Sequence, residues 1–357
     1  MTDLLALTAQ LVDIPSVSHQ ETALADHVEA RLRTAPHLTV DRHGDTVVAR
    51  TTGGRPRRLL LAGHLDTVPP FGPDGHRLEG DTLSGLGAVD MKGGLAVLLD
   101  LALSVVEPAV DATYLFYPGE EVERRYNGLH ALVAHSPEVL AADAAVLAEP
   151  TGGLVEAGCQ GTMKVEISLA GRRAHTARPW AGVNAVHRLA PVLRALESYT
   201  SRHVVLDGCE YKEQFQAVAV RGGVAGNVVP DEAVLTVNLR FAPDRDVDAA
   251  EAEVRRLVGD ALDADAGDRL TVVDAVAGAR PGLDHPLLSA LVGATGQPPR
   301  AKLGWTDVAT MAAAGIPAAN FGPGDPLLAH TPDEKVSGAE LTAVHRALRQ
   351  VLTVAVL

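Results

Sequence analysis

The strongest constraint in this sequence is an alternation. Apolar runs of strand length at 59–62, 112–117 and 144–148 are separated by segments of helical period at 4–12, 22–32, 91–106 and 127–134. Strands spaced by helices in this way pair in parallel, with the helices as crossovers. The expected fold class is therefore α/β, a mixed and mainly parallel sheet flanked by helices. The texture changes near Gly161. Residues 163–170 (MKVEISLA) alternate, 182–198 read as a helix, 214–221 and 233–241 as strands, 247–262 as a second helix and 272–276 as a strand. Helices at 285–291, 308–314 and 338–354 then return to the first pattern. The expectation is one domain made from 1–162 and 275–357 and an inserted α+β domain at 163–274, within the reach of a 357-residue chain.

Charge narrows the partners. The formal net charge is −14 and Lys and Arg form no stripe, so a phosphate backbone would be repelled and nucleic acid is not expected. The longest apolar stretch, 93–106, is broken by Asp100 and too short to span a bilayer, so no membrane partner is expected. The opening MTDLLALTAQLVDIPS carries acids and amphipathic spacing, unlike a signal peptide. Two cysteines, Cys159 and Cys209, suit a reducing compartment, and the expected location is cytoplasmic.

The chemistry gathers where predicted strands end. In LLLAGHLDTVPP, 59–70, His64 follows a buried strand and Asp66 lies two positions on, close enough to orient a ligating imidazole. A lone histidine there is more often structural. In GLGAVDMKGG, 85–94, Asp90 read alone is an ordinary helix N-cap. The strand TYLFYP leads to Glu120 and Glu121, however, and AAVLA leads to Glu149. Adjacent carboxylates at buried strand ends repel one another unless a cation or shared proton offsets the charge. His330, in the loop GPGDPLLAHTPDE at 322–334, adds a second histidine. Two histidines with several carboxylates suit zinc, as a pair of ions about 3.5–4 Å apart, with cobalt or manganese as substitutes.

The order and spacing of GHLDTVP, SGLGAVDMKGG, PGEE, AEP and AHTPDE resemble the M20 family of metallopeptidases and amidohydrolases over nearly the whole chain. Within it, YKEQFQAV, RPWAGVNA and GWTDVAT are most similar to the actinobacterial succinyl-diaminopimelate desuccinylases. The resemblance implies a zinc-peptidase-like catalytic domain, an inserted ferredoxin-like lid and dimerisation domain, two Zn2+ per subunit and a homodimer. It implies as substrate a small N-acylated amino acid, N-succinyl-LL-2,6-diaminopimelate, cut to succinate and LL-2,6-diaminopimelate. It implies that His64 and Glu149 hold one ion, Glu121 and His330 the other, and Asp90 both. Asp66 would orient His64, Glu120 would be the general base, and the Asp90–Met91 peptide would be cis.

By the same likeness, His175 in GRRAHTARPWAGVNA reaches the active site of a second subunit to bind an oxyanion. Arg178, Asn227 and Arg240 stand where relatives hold substrate carboxylates. Asp307 resembles a family acid near the metal-binding loop; it could support a ligand from behind, and could equally cap the helix from 308. The chain departs from proteobacterial desuccinylases at Cys159 and Gln160, where those have arginine, so the acyl carboxylate must be gripped elsewhere or the acyl group differs. Acetylornithine deacetylase, aminoacylase and carboxypeptidase activities remain open alternatives. A non-catalytic binding protein on the same fold is the alternative of another class, against which stands the presence of Glu120 and every proposed ligand.

Overall fold

The computed structural model describes residues 3–70, 72 and 75–354. Its largest sheet has eight strands in the order Leu38–His43, Thr46–Thr51, Asp111–Tyr117, Arg58–His64, Ala144–Leu147, Ala318–Asn320, Glu156–Ala157 and Arg300–Ala301. The four central strands, from Asp111–Tyr117 to Ala318–Asn320, run parallel. Their carboxyl ends therefore lie along one edge.

Period-two alternation fills both faces of this sheet. Leu59, Leu61, Tyr114, Phe116 and Val146 pack with the helices Leu4–Val12, Thr22–Leu32, Gly93–Ser104, Pro286–Thr295 and Gly338–Thr353. Leu60, Ala62, Leu115 and Leu147 face the other way, against Gly128–His135 and Val308–Ala313. Each such leucine contributes roughly 1.5–3 kcal/mol by burial, so helices on both sides are needed to cover the sheet.

Residues 161–276 build a second sheet, all antiparallel, in the order Gln214–Gly222, Glu232–Phe241, Gly161–Ala170 and Arg269–Val276. With the helices Leu189–Glu197 and Val247–Val258 the chain order is βαββαβ, the ferredoxin-like arrangement. Met163, Val165, Ile167 and Leu169 pack inward with Leu235, Val237, Leu239 and both helices, a core of their own.

Two expectations needed adjustment. The helix expected over 182–198 begins only at Leu189, because Val183 pairs with Arg172 as an isolated bridge and Asn184 accepts from His187 N. The helix expected from 91 starts at Gly93, after non-helical φ/ψ at Asp90 and Met91. Short strands at 38–43, 156–157 and 300–301 carry too little apolar pattern to be read from sequence. Among the described residues, no helix is long and apolar enough to cross a membrane.

Candidate metal centre

The parallel strands deliver the chemistry to one edge. Arg58–His64 ends on His64 itself, Asp111–Tyr117 is followed by Glu120 and Glu121, and Ala144–Leu147 is followed by Glu149. The loop after Ala318–Asn320 returns His330. Asp90 stands where the chain enters Gly93–Ser104, and its peptide bond to Met91 is cis. The Ala148–Glu149 backbone lies against Gly94 and Gly322, where a Cβ would press on the Ala148 carbonyl oxygen from either side. These two glycines let the Glu149 segment sit close to both the helix and the His330 loop.

Asp90 is the centre of the cluster. Its Oδ1 lies 3.0 Å from His64 Nε2 and its Oδ2 lies 3.4 Å from His330 Nε2. His330, with φ 60° in the left-handed region, places the same Nε2 2.7 Å from Glu121 Oε1. His64, Asp90 and Glu149 each bring a ligand atom within 4.8 Å of the others, and so do Asp90, Glu121 and His330. His64, Glu120 and Glu121 form a third such group. Asp90 thus offers one oxygen to each of two histidine-containing sets.

The groups of the cluster shift one another's ionisation. Burial, then the Glu149 charge, pushes the Glu120 carboxyl well above the carboxylate range. Burial and then Asp90 push Glu149 up to about 7. Burial opposes charge on Asp90, but hydrogen bonds from His330 and His64 hold it well below its ordinary value. Hydrogen bonds to Asp90 and Glu121 raise His330 to about 10. The buried Glu149 Oε1 has no hydrogen-bond partner among the described residues. A buried oxygen without a partner, beside two imidazoles and further carboxylates, is what a cation satisfies, and the donor set fits a metal ion.

The supporting residues extend this. His64 Nδ1 is 3.0 Å from the Asp66 carbonyl oxygen and 3.6 Å from its Oδ1. The Asp66 carboxylate accepts from Glu120 N, Glu121 N and Ser18 Oγ at 3.0, 3.0 and 2.8 Å. It therefore ties the Glu120–Glu121 turn to the end of the His64 strand. Glu334 accepts from Gly87 N, Val89 N and Asp90 N at 3.0, 2.9 and 2.9 Å, joining the His330 loop to the Asp90 turn. Lys302, largely buried, pairs with Glu156 at 3.0 Å; burial opposes its charge, but Glu156, Glu149 and Asp90 together raise its pKa. Ser18, Glu334 and Lys302 were not singled out in the sequence. Only Glu334 carried a signal, as the last residue of AHTPDE.

Four further predicted residues lie outside these three ligand groups. His175, Arg178 and Asn227 are exposed on two adjoining loops, with Thr176 N donating to Asn227 O and His175 bridging Val228. None has a hydrogen bond or ion pair to the cluster among the described residues. Arg240 is half-buried on Glu232–Phe241, where burial lowers its pKa and no described carboxylate pairs with it. Cys159 and Cys209 are both free and buried.

Comparison with known proteins agrees with this geometry. Residues 60–354 match the model of peptidase family M20/M25/M40. A Mycobacterium tuberculosis protein carrying the desuccinylase DapE name is 52% identical over 351 residues, covering 98% of each chain. Succinyl-diaminopimelate desuccinylase of Corynebacterium glutamicum is 44% identical over 358 residues, covering 98% of this chain and 96% of that protein. Among solved structures, aminopeptidase PepT of Bacillus cereus superposes with a TM-score of 0.81 at 18% identity, covering 98% of this chain and 97% of its own. A dinuclear metal-binding M20 peptidase of Bacillus subtilis does so with a TM-score of 0.71 at 16% identity, covering 98% and 96%. The chain belongs to peptidase family M20/M25/M40 and is a metal-dependent amidohydrolase.

Proposed function

We propose that the chain hydrolyses N-succinyl-LL-2,6-diaminopimelate to succinate and LL-2,6-diaminopimelate in the cytoplasm, a step toward lysine, using two zinc ions. The observation that carries the two-ion reading is Asp90, whose two oxygens face two different histidines at 3.0 and 3.4 Å. The substrate follows the names of relatives 52% and 44% identical over almost the full chain.

In this reading His64, Asp90 and Glu149 hold one ion, and Asp90, Glu121 and His330 the other. Bound there, the ions would polarise the acyl oxygen and lower the pKa of a water. Asp66, gripping the backbone of Glu120 and Glu121, keeps their turn in register with His64. Glu120 accepts a proton from the water that attacks the amide carbon and delivers it to the nitrogen as the C–N bond breaks. The acyl carbon leaves as succinate and the nitrogen as the free amine. His175 of the partner subunit in a homodimer donates to the oxyanion. Arg178, Asn227 and Arg240 take substrate carboxylates, a role that the unpaired, partly desolvated Arg240 guanidinium suits.

The test is turnover of succinyl-diaminopimelate, acetylornithine and a dipeptide side by side, with zinc content measured for the wild type and Glu120→Ala. The first substrate should dominate, and Glu120→Ala should keep its zinc and lose most turnover. No activity on the first substrate removes the substrate assignment. Full activity in Glu120→Ala removes the base.

A further inference from the structure

Asp307 precedes the helix Val308–Ala313, yet its carboxylate does not cap that helix. It is fully buried and its bonds go elsewhere. Oδ2 accepts from Tyr117 Oη at 3.0 Å and from Asn127 Nδ2 at 2.7 Å, while Oδ1 accepts from Thr310 Oγ1 at 2.7 Å. Tyr117 is the last residue of its strand, and Asn127 Oδ1 caps Gly128–His135 by accepting from Leu129 N and His130 N. Between these two residues runs the loop that carries Glu120 and Glu121. One oxygen therefore holds both ends of that loop, while Gly128 N closes its base on Pro118 O at 2.8 Å and Asp66 grips its middle.

We infer that Asp307 is a positioning residue for Glu120 and Glu121, acting through Tyr117 and Asn127, an inference that rests on the proposed roles of those two glutamates. A carboxylate is not required for this. An asparagine can keep its carbonyl oxygen on Tyr117 and Asn127 and donate its amide to the Thr310 hydroxyl. Alanine removes all three bonds and leaves buried donors without acceptors. Displacing a catalytic group by about 1 Å costs on the order of 100-fold in rate. Thr310 is the internal control, because among the described residues its hydroxyl meets only Asp307 Oδ1 and His130 Nε2, the latter on Gly128–His135, and no residue of 118–126.

The experiment compares Asp307→Ala, Asp307→Asn, Tyr117→Phe and Thr310→Val. Amide exchange of the metal-free proteins and titration with zinc alone are measured beside kcat and KM. Asp307→Ala and Tyr117→Phe should accelerate exchange across 119–126. Asp307→Ala should weaken zinc binding about tenfold or more and lower kcat with little change in KM. Asp307→Asn should restore most of each, and Thr310→Val should behave as wild type. If Asp307→Ala does not fold, Tyr117→Phe against Thr310→Val carries the comparison. Faster exchange confined to 308–313, with loop and zinc titration unchanged, overturns the inference. Glu121→Ala is included in the titration. If it binds zinc as wild type does, the metal assignment has failed rather than the role of Asp307.

Discussion

Replacing Asp66 by asparagine isolates one contribution to the metal centre that needs no metal to measure. The native carboxylate is fully buried and accepts three hydrogen bonds, two of them from the Glu120 and Glu121 backbone. Burial opposes its ionisation, but His64 and those N–H groups hold its pKa at about 2, against 3.8 for an ordinary aspartate. That difference corresponds to roughly 2–3 kcal/mol of stability at neutral pH. The hydrogen bonds that contribute to this shift lead to a loss of the same size. Asparagine has one oxygen, which can keep Ser18 Oγ and Glu121 N but must turn an NH2 group toward Glu120 N, losing a charge-assisted bond of about 1.5–3 kcal/mol.

Because the folded pKa is depressed, this stabilisation is present above pH 3.8 and is lost as pH falls through about 2. Calorimetry of metal-free wild type and Asp66→Asn should therefore show a gap in Tm of roughly 3–5 °C at pH 7.5. The gap should persist to pH 4 with little change. Equal Tm values at pH 7.5, or a gap that widens between pH 7.5 and pH 4, would refute the reasoning.

Zinc binding to the metal-free protein should expel protons, since His330 titrates at about 10 and His64 is also raised well above its usual value, so apparent affinity should climb from pH 6 to pH 9. Calorimetric titration in buffers of different ionisation enthalpy measures this, and zero protons released contradicts it. Gly322→Ala should cost about 1–3 kcal/mol and weaken zinc binding together, since the added methyl meets the carbonyl oxygens of Ala148 and Glu149. Calorimetry with zinc titration checks both. Asp268→Ala should cost about 3–5 kcal/mol, because it leaves the partly buried Arg188 without its bidentate partner at 2.6–2.7 Å. Thermal unfolding measures that loss, while zinc content should be unchanged. If His175 acts across subunits, mixing inactive His175→Ala and Glu120→Ala proteins should restore about a quarter of wild-type turnover in randomly exchanged dimers. No recovery after demonstrated subunit exchange places His175 outside the partner site.

Much of the fold was legible because the central strands are buried on both faces and so read as unbroken apolar runs. The edge strands were not. Leu38–His43 is mostly half-exposed and polar, and Glu156–Ala157 and Arg300–Ala301 are two residues each, so neither periodicity nor length marks them. The missing start of the 182–198 helix has a similar cause. Val183 is drawn into pairing with Arg172, eleven residues back, and no window of local period contains that contact.

The site divides along the same physical line. Residues that could meet a cation directly stand just beyond apolar strand ends or in glycine-rich turns, where a charged side chain is conspicuous. Residues that position them are ordinary by composition and become informative only in three dimensions. Ser18 is a serine in a loop, and nothing local says that its hydroxyl reaches Asp66, 48 positions on. Asp307 looks like any helix N-terminal acid, and only the bonds from Tyr117 and Asn127, 190 and 180 positions back, decide between the two readings open for it. Such partners must exist for a physical reason. Six ionisable groups brought to one sheet edge gain directional constraint only from short hydrogen bonds to neighbouring elements, and backbone sterics alone leave several rotamers to each carboxylate. A change at Ser18 or Asp307 should therefore alter the spacing among Asp90, Glu120 and Glu121 without touching any of them.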